Sequence, residues 1–230
     1  MPTIKDVARV AGVSASTASA AMNNSPKVRK EVAARIRQVA ADLNYTPSAS
    51  ARALKRGSSS LFGLVVADLA NPFYGAITKA IGHASRDAGY ALILSDTDWD
   101  VTRERGYLDL MISHRVDGLI AAITAKESRR ALQALRTTGV PVVMIDQAYP
   151  GLPFDAVTLD NDAAAQLGVD HIVEQGHRRI GLLVGPQGLP TGEERLRGYR
   201  SAIEAHGIAY DPALVVEAEY SVESGYAAAG

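Results

Sequence analysis

Four of the six positions from Ser14 to Ser19 are hydroxylic: Ser14, Ser16, Thr17 and Ser19. Small side chains of this kind let a helix lie close to DNA, and their hydroxyls can donate to phosphates or base edges. A second set is spread along the chain and is polar and aromatic: Asp68, Asn71, Phe73, Tyr74, Asp96, Thr124, Asp146, Thr191, Arg195 and Tyr220. Aromatic faces against C–H surfaces, with Asp and Arg gripping hydroxyls, are what a sugar or nucleoside site requires. Catalytic patterns are missing. There is no nucleophile elbow, no Walker loop, and no Gly-x-Gly-x-x-Gly after the first expected strand. The five histidines (83, 114, 171, 177 and 206) show no metal-ligand spacing, cysteine is absent, and His177 sits in a Gly-His-Arg-Arg turn that reads as structural. No catalytic residue, metal or cofactor is expected.

The hydroxylic run needs a scaffold, and the flanking sequence supplies one. Thr3 can cap a helix whose apolar positions Ile4, Val7, Ala8 and Ala11 share one face, with Asp6 as a short-armed capping-box acid. Gly12 supplies a tight turn, Val13 enters the core, and Ser14 caps a second helix running to about Asn23. A third helix is expected from about Lys27 to Asn44, with Val28, Val32, Ile36, Val39, Ala40 and Leu43 inward and Arg29, Lys30, Arg35 and Arg37 outward. Two short helices about a glycine, followed by a third, form the helix-turn-helix pattern. Charge agrees. Residues 1–60 hold ten Lys and Arg against three acids, or +7, and the remainder carries −8, for a total of −1. A basic head on an acidic body is the footprint of a nucleic-acid reader, although a basic face can also serve solubility alone.

Residues 46–60 separate head from body. The Ser-rich end reads as a flexible linker, yet Ser48 to Lys55 is Ala-rich, capped by Ser48 and stopped by Gly57. A helix of about two turns is marginal alone and forms only when something stabilises it.

From Leu61 onward, strands are expected at Leu61–Ala67, Ala91–Leu94, Leu119–Ala122, Val142–Ile145 and Val157–Leu159. Helices alternate with them at Pro72–Asp87, Thr102–His114 and Ser128–Thr137. A second unit follows: helix Asp162–Glu174, strand Ile180–Val184, helix Arg195–Ala205 and strand Leu214–Glu217. Such alternation means parallel sheets covered on both faces, with ligand sites beyond the carboxyl ends of the strands. The polar set above falls at those ends, as does the stretch from Gly185-Pro186. Each member also has a structural reading. Asn71-Pro72 starts a helix in any case, Phe73 or Tyr74 can be core, Asp146 can cap a loop, and Arg195 can pair with Glu193.

At two levels the chain resembles the lactose/galactose-repressor (LacI/GalR) family. The segments Thr3-Ile-Lys-Asp-Val-Ala-Arg-Val-Ala-Gly-Val-Ser14, Ser16-Thr-Ala-Ser-Ala-Ala-Met-Asn23 and Leu43-Asn-Tyr-Thr-Pro47 are similar to its headpiece. Asn-Pro-Phe-Tyr74, Arg-Val-Asp-Gly-Leu-Ile120, Gly-His-Arg-Arg-Ile-Gly181 and Glu-Arg-Leu-Arg-Gly-Tyr199 are similar to its sensor. The resemblance implies an all-α helix-turn-helix headpiece followed by an α/β periplasmic-binding-protein-like (type I) sensor domain. Its boundaries would be head 1–46, hinge 47–60, first lobe 61–160 and partial second lobe 161–230. It implies base reading by Ala15, Ser16 and Ala20, and phosphate contacts from Ser14, Thr17, Ser19, Asn23 and Tyr45. In the minor groove it implies a wedge at Leu54, Lys55 beside it, and Ala51 where paired hinge helices meet. In the sensor it implies an effector, a sugar, approached by Asn71, Phe73, Tyr74, Asp146, Thr191, Arg195 and Tyr220.

The implied partners are a palindromic double-stranded operator, a small-molecule effector and a second copy of the chain, with no membrane. The chain departs from the family in three places. Ala18 stands where the family usually has Val, and no reading position carries Arg, Gln or His, so modest base discrimination is expected. Family members also continue past Gly230, so a C-terminal truncation with an incomplete second lobe is expected. No signal-peptide core follows Met1 and no run is apolar enough to span a bilayer, which suits a cytoplasmic, nucleoid-associated repressor. The other functions considered are an enzyme on the same scaffold and a solute-binding receptor. The first lacks its motifs; the second lacks a signal peptide and has no use for a basic head.

Overall fold

The computed structural model describes residues 2–46, 57–124, 128–149 and 151–229. The chain divides into two compact units, Met1–Ser59 and Ser60–Gly230. The hinge residues Ala51, Leu54 and Lys55 lie outside the described residues.

The first unit holds α1 (Ile4–Val10), α2 (Ala15–Met22) and α3 (Lys30–Asp42). The Asp6 carboxylate accepts from the Thr3 N–H (3.0 Å) and hydroxyl (2.8 Å), and these bonds hold it below the usual Asp range. Gly12 turns the chain at φ +65°, where a side chain would be strained, and Ser14 Oγ accepts from the Thr17 N–H at 3.1 Å. Val7, Ala18 and Ile36 are fully buried, with Ala8, Ala11, Ala21, Ala33 and Ala40 around them. Alanine on three helices lets their backbones approach closely. The expected third helix is shorter than 27–44. Arg29 remains extended (ψ 143°) as its N-cap, and Asn44 at φ +50° prevents it from continuing.

The second unit opens with a five-stranded parallel sheet ordered β2-β1-β3-β4-β5: β1 Leu61–Val66, β2 Ala91–Asp96, β3 Gly118–Ala121, β4 Val142–Ile145 and β5 Asp155–Val157. The crossovers contain α4 (Pro72–Asp87), α5 (Val101–Ser113) and α6 (Arg129–Thr137). Alternate residues of β1 feed opposite layers: Val65 packs with Leu108, Met111, Leu119 and Met144, whereas Leu64 and Val66 pack with Tyr74 and Ile145. A second layer contains α7 (Asn161–Glu174), β6 (Leu182–Val184), α8 (Pro190–Ala205), a 3₁₀ turn Pro212–Leu214, β7 (Val215–Glu217) and α9 (Val222–Ala229), with β6 and β7 parallel. Its core is Val169, Val173, Ile180, Tyr199, Ala202 and Ile203, and Tyr199 donates to the Ile180 carbonyl at 2.8 Å. Among the described residues no helix is long and apolar enough to cross a membrane.

Several element boundaries in the second unit differ from expectation, among them the following three. The strand expected at 157–159 is Asp155–Val157, because the Leu159 carbonyl is taken by the Asn161 backbone N–H at 3.0 Å as α7 begins. Strand β6 starts at Leu182 rather than Ile180. The helix expected from Arg195 starts at Pro190, where proline suits the first turn. This last shift matters, since it places Thr191 and Arg195 on one rigid helix, four residues apart.

Helix α8 meets α7 at Gly198, where an added Cβ would run into the Asp162 carbonyl oxygen. A Gly198→Ala change should destabilise the chain by about 1–3 kcal/mol, as overpacking does elsewhere. Urea melts of both proteins check this; an unchanged midpoint would show that α7 and α8 part without cost.

Candidate nucleic-acid interface and ligand cleft

On the head, Ala15 and Ser16 are exposed at the start of α2, while Thr17, Ser19, Ala20 and Asn23 are half-buried along it. Ser14 Oγ lies 2.8 Å from both Ser16 Oγ and Thr17 Oγ1, so the three hydroxyls form one connected donor set at the positive end of the helix. Asn23 donates to the Ser19 carbonyl at 2.7 Å, closing the other end. Tyr45 packs against the head core, and its N–H donates to the Ala40 carbonyl at 2.8 Å.

In the second unit, the seven sensor residues singled out from the sequence all line one cavity of about 170 Å³: Asn71, Phe73, Tyr74, Asp146, Thr191, Arg195 and Tyr220. Each is there for a local reason. Asn71 caps α4, accepting from the Phe73 N–H at 3.0 Å, and so aims the aromatic pair at the sheet's carboxyl edge. Tyr74 is both core and site: it is buried, and its hydroxyl donates to Asp146 Oδ2 at 2.8 Å. Asp146 directly follows β4 in a left-handed conformation (φ +64°), a strained state for a non-glycine residue. Burial pushes its carboxyl above the ordinary 3.8, against the downward pull of the Tyr74 hydrogen bond and the Arg195 charge. Burial, then the Asp146 charge, pushes the Tyr74 phenol up as well. Arg195 does not pair with Glu193; its Nε donates to Asn161 Oδ1 at 2.9 Å, and Asn161 in turn donates to Glu194 at 3.1 Å. The Tyr220 ring lies on Gly185, where any Cβ would collide with it.

Three more residues line the cavity and were not picked out from the sequence: Trp99, Gln147 and Leu159. Gln147 is buried and bridges the two layers. Its amide donates to Asp146 Oδ2 (3.2 Å) and Thr191 Oγ1 (3.0 Å), and its Oε1 accepts from the Thr191 N–H (3.4 Å). Its position directly after Asp146 was the available signal. Other strand-end residues serve the frame instead. Asp68 accepts from the Ala70 N–H, Asp96 from the Leu69 and Asp98 N–H groups, and Thr124 donates twice to the fully buried Glu104 at 2.8 and 2.9 Å. Asp68 instead lines an outer cavity of about 630 Å³ that shares Asn71, Arg195 and Tyr220 with the inner one. Among the described residues no cluster of His, Cys, Asp and Glu could hold a metal ion.

Because the folded-state carboxyl of Asp146 is raised, the folded chain holds that proton more tightly than the unfolded one. The stability it confers is therefore full below the unfolded value and lost as pH rises through the folded one. Tyr74→Phe removes a donor that the ionised carboxylate needs more than the neutral acid does. It should cost about 1.5–3 kcal/mol where the carboxyl is ionised and less as pH falls and it takes up its proton. Denaturant melts across a pH series check this, and a loss that does not shrink with falling pH would contradict it.

Two family models match. Residues 3–48 match the bacterial regulatory proteins of the lacI family, and residues 59–229 match the periplasmic binding proteins and sugar-binding domain of the LacI family. The chain is 34% identical to the HTH-type transcriptional regulator DegA of Bacillus subtilis, an alignment that takes in 99% of the chain and 68% of that protein. It is 36% identical to the HTH-type transcriptional regulator GalR of Escherichia coli, over 95% of the chain and 64% of that protein. The chain thus spans about two thirds of these relatives' length. Among solved structures it is similar to the lac repressor dimer bound to operator and an anti-inducer, with 27% identity and a TM-score of 0.81, covering 98% of this chain and 68% of that one. A helix-turn-helix head joined to a type I periplasmic-binding-like body, matched over both parts, makes this chain a member of the LacI family of DNA-binding transcriptional regulators.

Proposed function

We propose that the chain is a repressor that binds a palindromic operator as a homodimer in the cytoplasm, associated with the nucleoid, and that a sugar in the 170 Å³ cavity controls it. The observation that carries this reading is the convergence of Asp146, Thr191, Arg195 and an aromatic set on that one cavity in a chain of this family. No described residue donates to Asp146 Oδ1 or accepts from the terminal nitrogens of Arg195, which leaves an acceptor and a forked donor for ligand hydroxyls. Phe73, Tyr74 and Tyr220 offer apolar faces to the sugar's C–H surface. Asn71 would complete the set.

On the head, Ser16 would read a base edge through its hydroxyl, and Ala15 and Ala20 would touch thymine methyls. Ser14, Thr17, Ser19, Asn23 and Tyr45 would hold phosphates. Leu54 and Lys55 would enter the minor groove, with Ala51 at the seam between paired hinge helices. An effector that binds two states of the body unequally shifts the operator equilibrium by that difference and does no chemistry.

Fluorescence anisotropy on palindromic and scrambled duplexes tests the reading. Preference for a palindrome is expected, with affinity falling at least about 100-fold between 50 and 200 mM salt. Equal, weak binding to both duplexes would sink it. Selection from random DNA should return loosely constrained half-sites, and Ser16→Ala should loosen them further by about 0.5–1.5 kcal/mol at one base pair. Tightly constrained half-sites that survive Ser16→Ala would show that another element reads the bases.

A further inference from the structure

The chain's single tryptophan, Trp99, lines the inner cavity in a backbone conformation that bulky residues seldom adopt, with φ at +57° directly after Asp98 at +52°. The surrounding loop leaves it little choice. Thr97 and Trp99 donate their N–H groups to the Val66 and Ala67 carbonyls at 3.0 Å each, continuing the edge of β1 beyond its last residue. Asp100 then caps α5 through the Thr102 and Arg103 N–H groups, at 2.7 and 3.0 Å, and Arg103 reaches back to Asp98 at 3.1 Å. A frame this complete, holding a residue in a sparsely populated state at a cavity wall, points to a role for that side chain.

The indole is part of the cavity wall. Its ring lies 5.1 Å from that of Tyr220, tilted by 34°, so the two aromatics face each other from opposite layers of the unit. Its Nε1–H is buried and has no hydrogen-bond partner. A buried donor left unpaired is unfavourable, and a small shift of the wall that admits an acceptor oxygen recovers that loss. The network around Asp146 supplies a carboxylate acceptor to the same cavity.

We propose that Trp99 is a specificity-determining residue of the effector site: its ring forms one aromatic wall, and its indole N–H donates to a ring or hydroxyl oxygen of the sugar. This rests on the effector reading of the cavity and deepens it. Effectors lacking an oxygen at that point are discriminated against because they leave the N–H unpaired.

The test uses D-glucose, D-galactose and D-ribose, with calorimetry on the wild-type chain and on Trp99→Phe and tryptophan emission on the wild type, whose single tryptophan is Trp99. The variant keeps an aromatic wall and removes the N–H. At least one sugar should release heat and shift the emission of the wild type, and Trp99→Phe should bind that sugar about 3–10-fold more weakly. Deoxy analogues of the same sugar should include one for which wild type and Trp99→Phe bind equally, since it lacks the accepting oxygen. A bound sugar with equal affinity for both proteins, or one that leaves the emission unchanged, overturns the role of Trp99 alone. No heat from any of the three on the wild type overturns the effector reading and this proposal together.

Discussion

The cavity of the second unit is organised around one half-buried carboxyl group. Asp146 leaves β4 in a left-handed conformation, and burial pushes its carboxyl above the ordinary value despite the hydrogen bonds from Tyr74 and Gln147 and the nearby Arg195 charge. Since the upward effect of burial exceeds all of these downward effects, ionising this carboxyl costs the folded state stability. A fold that only needed a loop cap there would do better with a neutral side chain. The end of β4, the first turn of α4 and the first turns of α8 meet at this group, and the cavity follows from their meeting.

The two units divide the work by charge and surface. The head is basic, its core is largely alanine, and its exposed helix start carries connected hydroxyls suited to phosphates and base edges. The body is acidic, which keeps phosphate attraction on the head, and it presents a concave site in place of a basic face.

Periodicity and caps made the elements legible: Thr3, Ser14 and Asn71 cap the helices they were expected to cap. The strand-end rule placed all seven sensor residues, but by itself it could not separate ligand groups from turn holders. Asp68, Asp96 and Thr124 occupy equivalent positions and spend their hydrogen bonds on neighbouring backbone or on Glu104. Gln147 and Asn161 were missed because a buried amide has no sequence period; each is fixed by partners distant in sequence, Thr191 and Arg195. Trp99 was missed because two consecutive left-handed residues without glycine are not a pattern the sequence announces.

The central claim is that the Asp146 carboxyl serves a ligand at the expense of the fold, and equilibrium unfolding of Asp146→Asn and Asp146→Ala at pH 7.5 tests it most directly. The amide keeps an oxygen for Tyr74 and Gln147 while removing the ionisable group; alanine leaves both donors without an acceptor. The account predicts that Asp146→Asn is as stable as the wild type or more so, and that Asp146→Ala is less stable by about 1–3 kcal/mol. If Asp146→Asn lost as much stability as Asp146→Ala, the charge would belong to the fold, and the cavity would lose its claim to be built around a ligand.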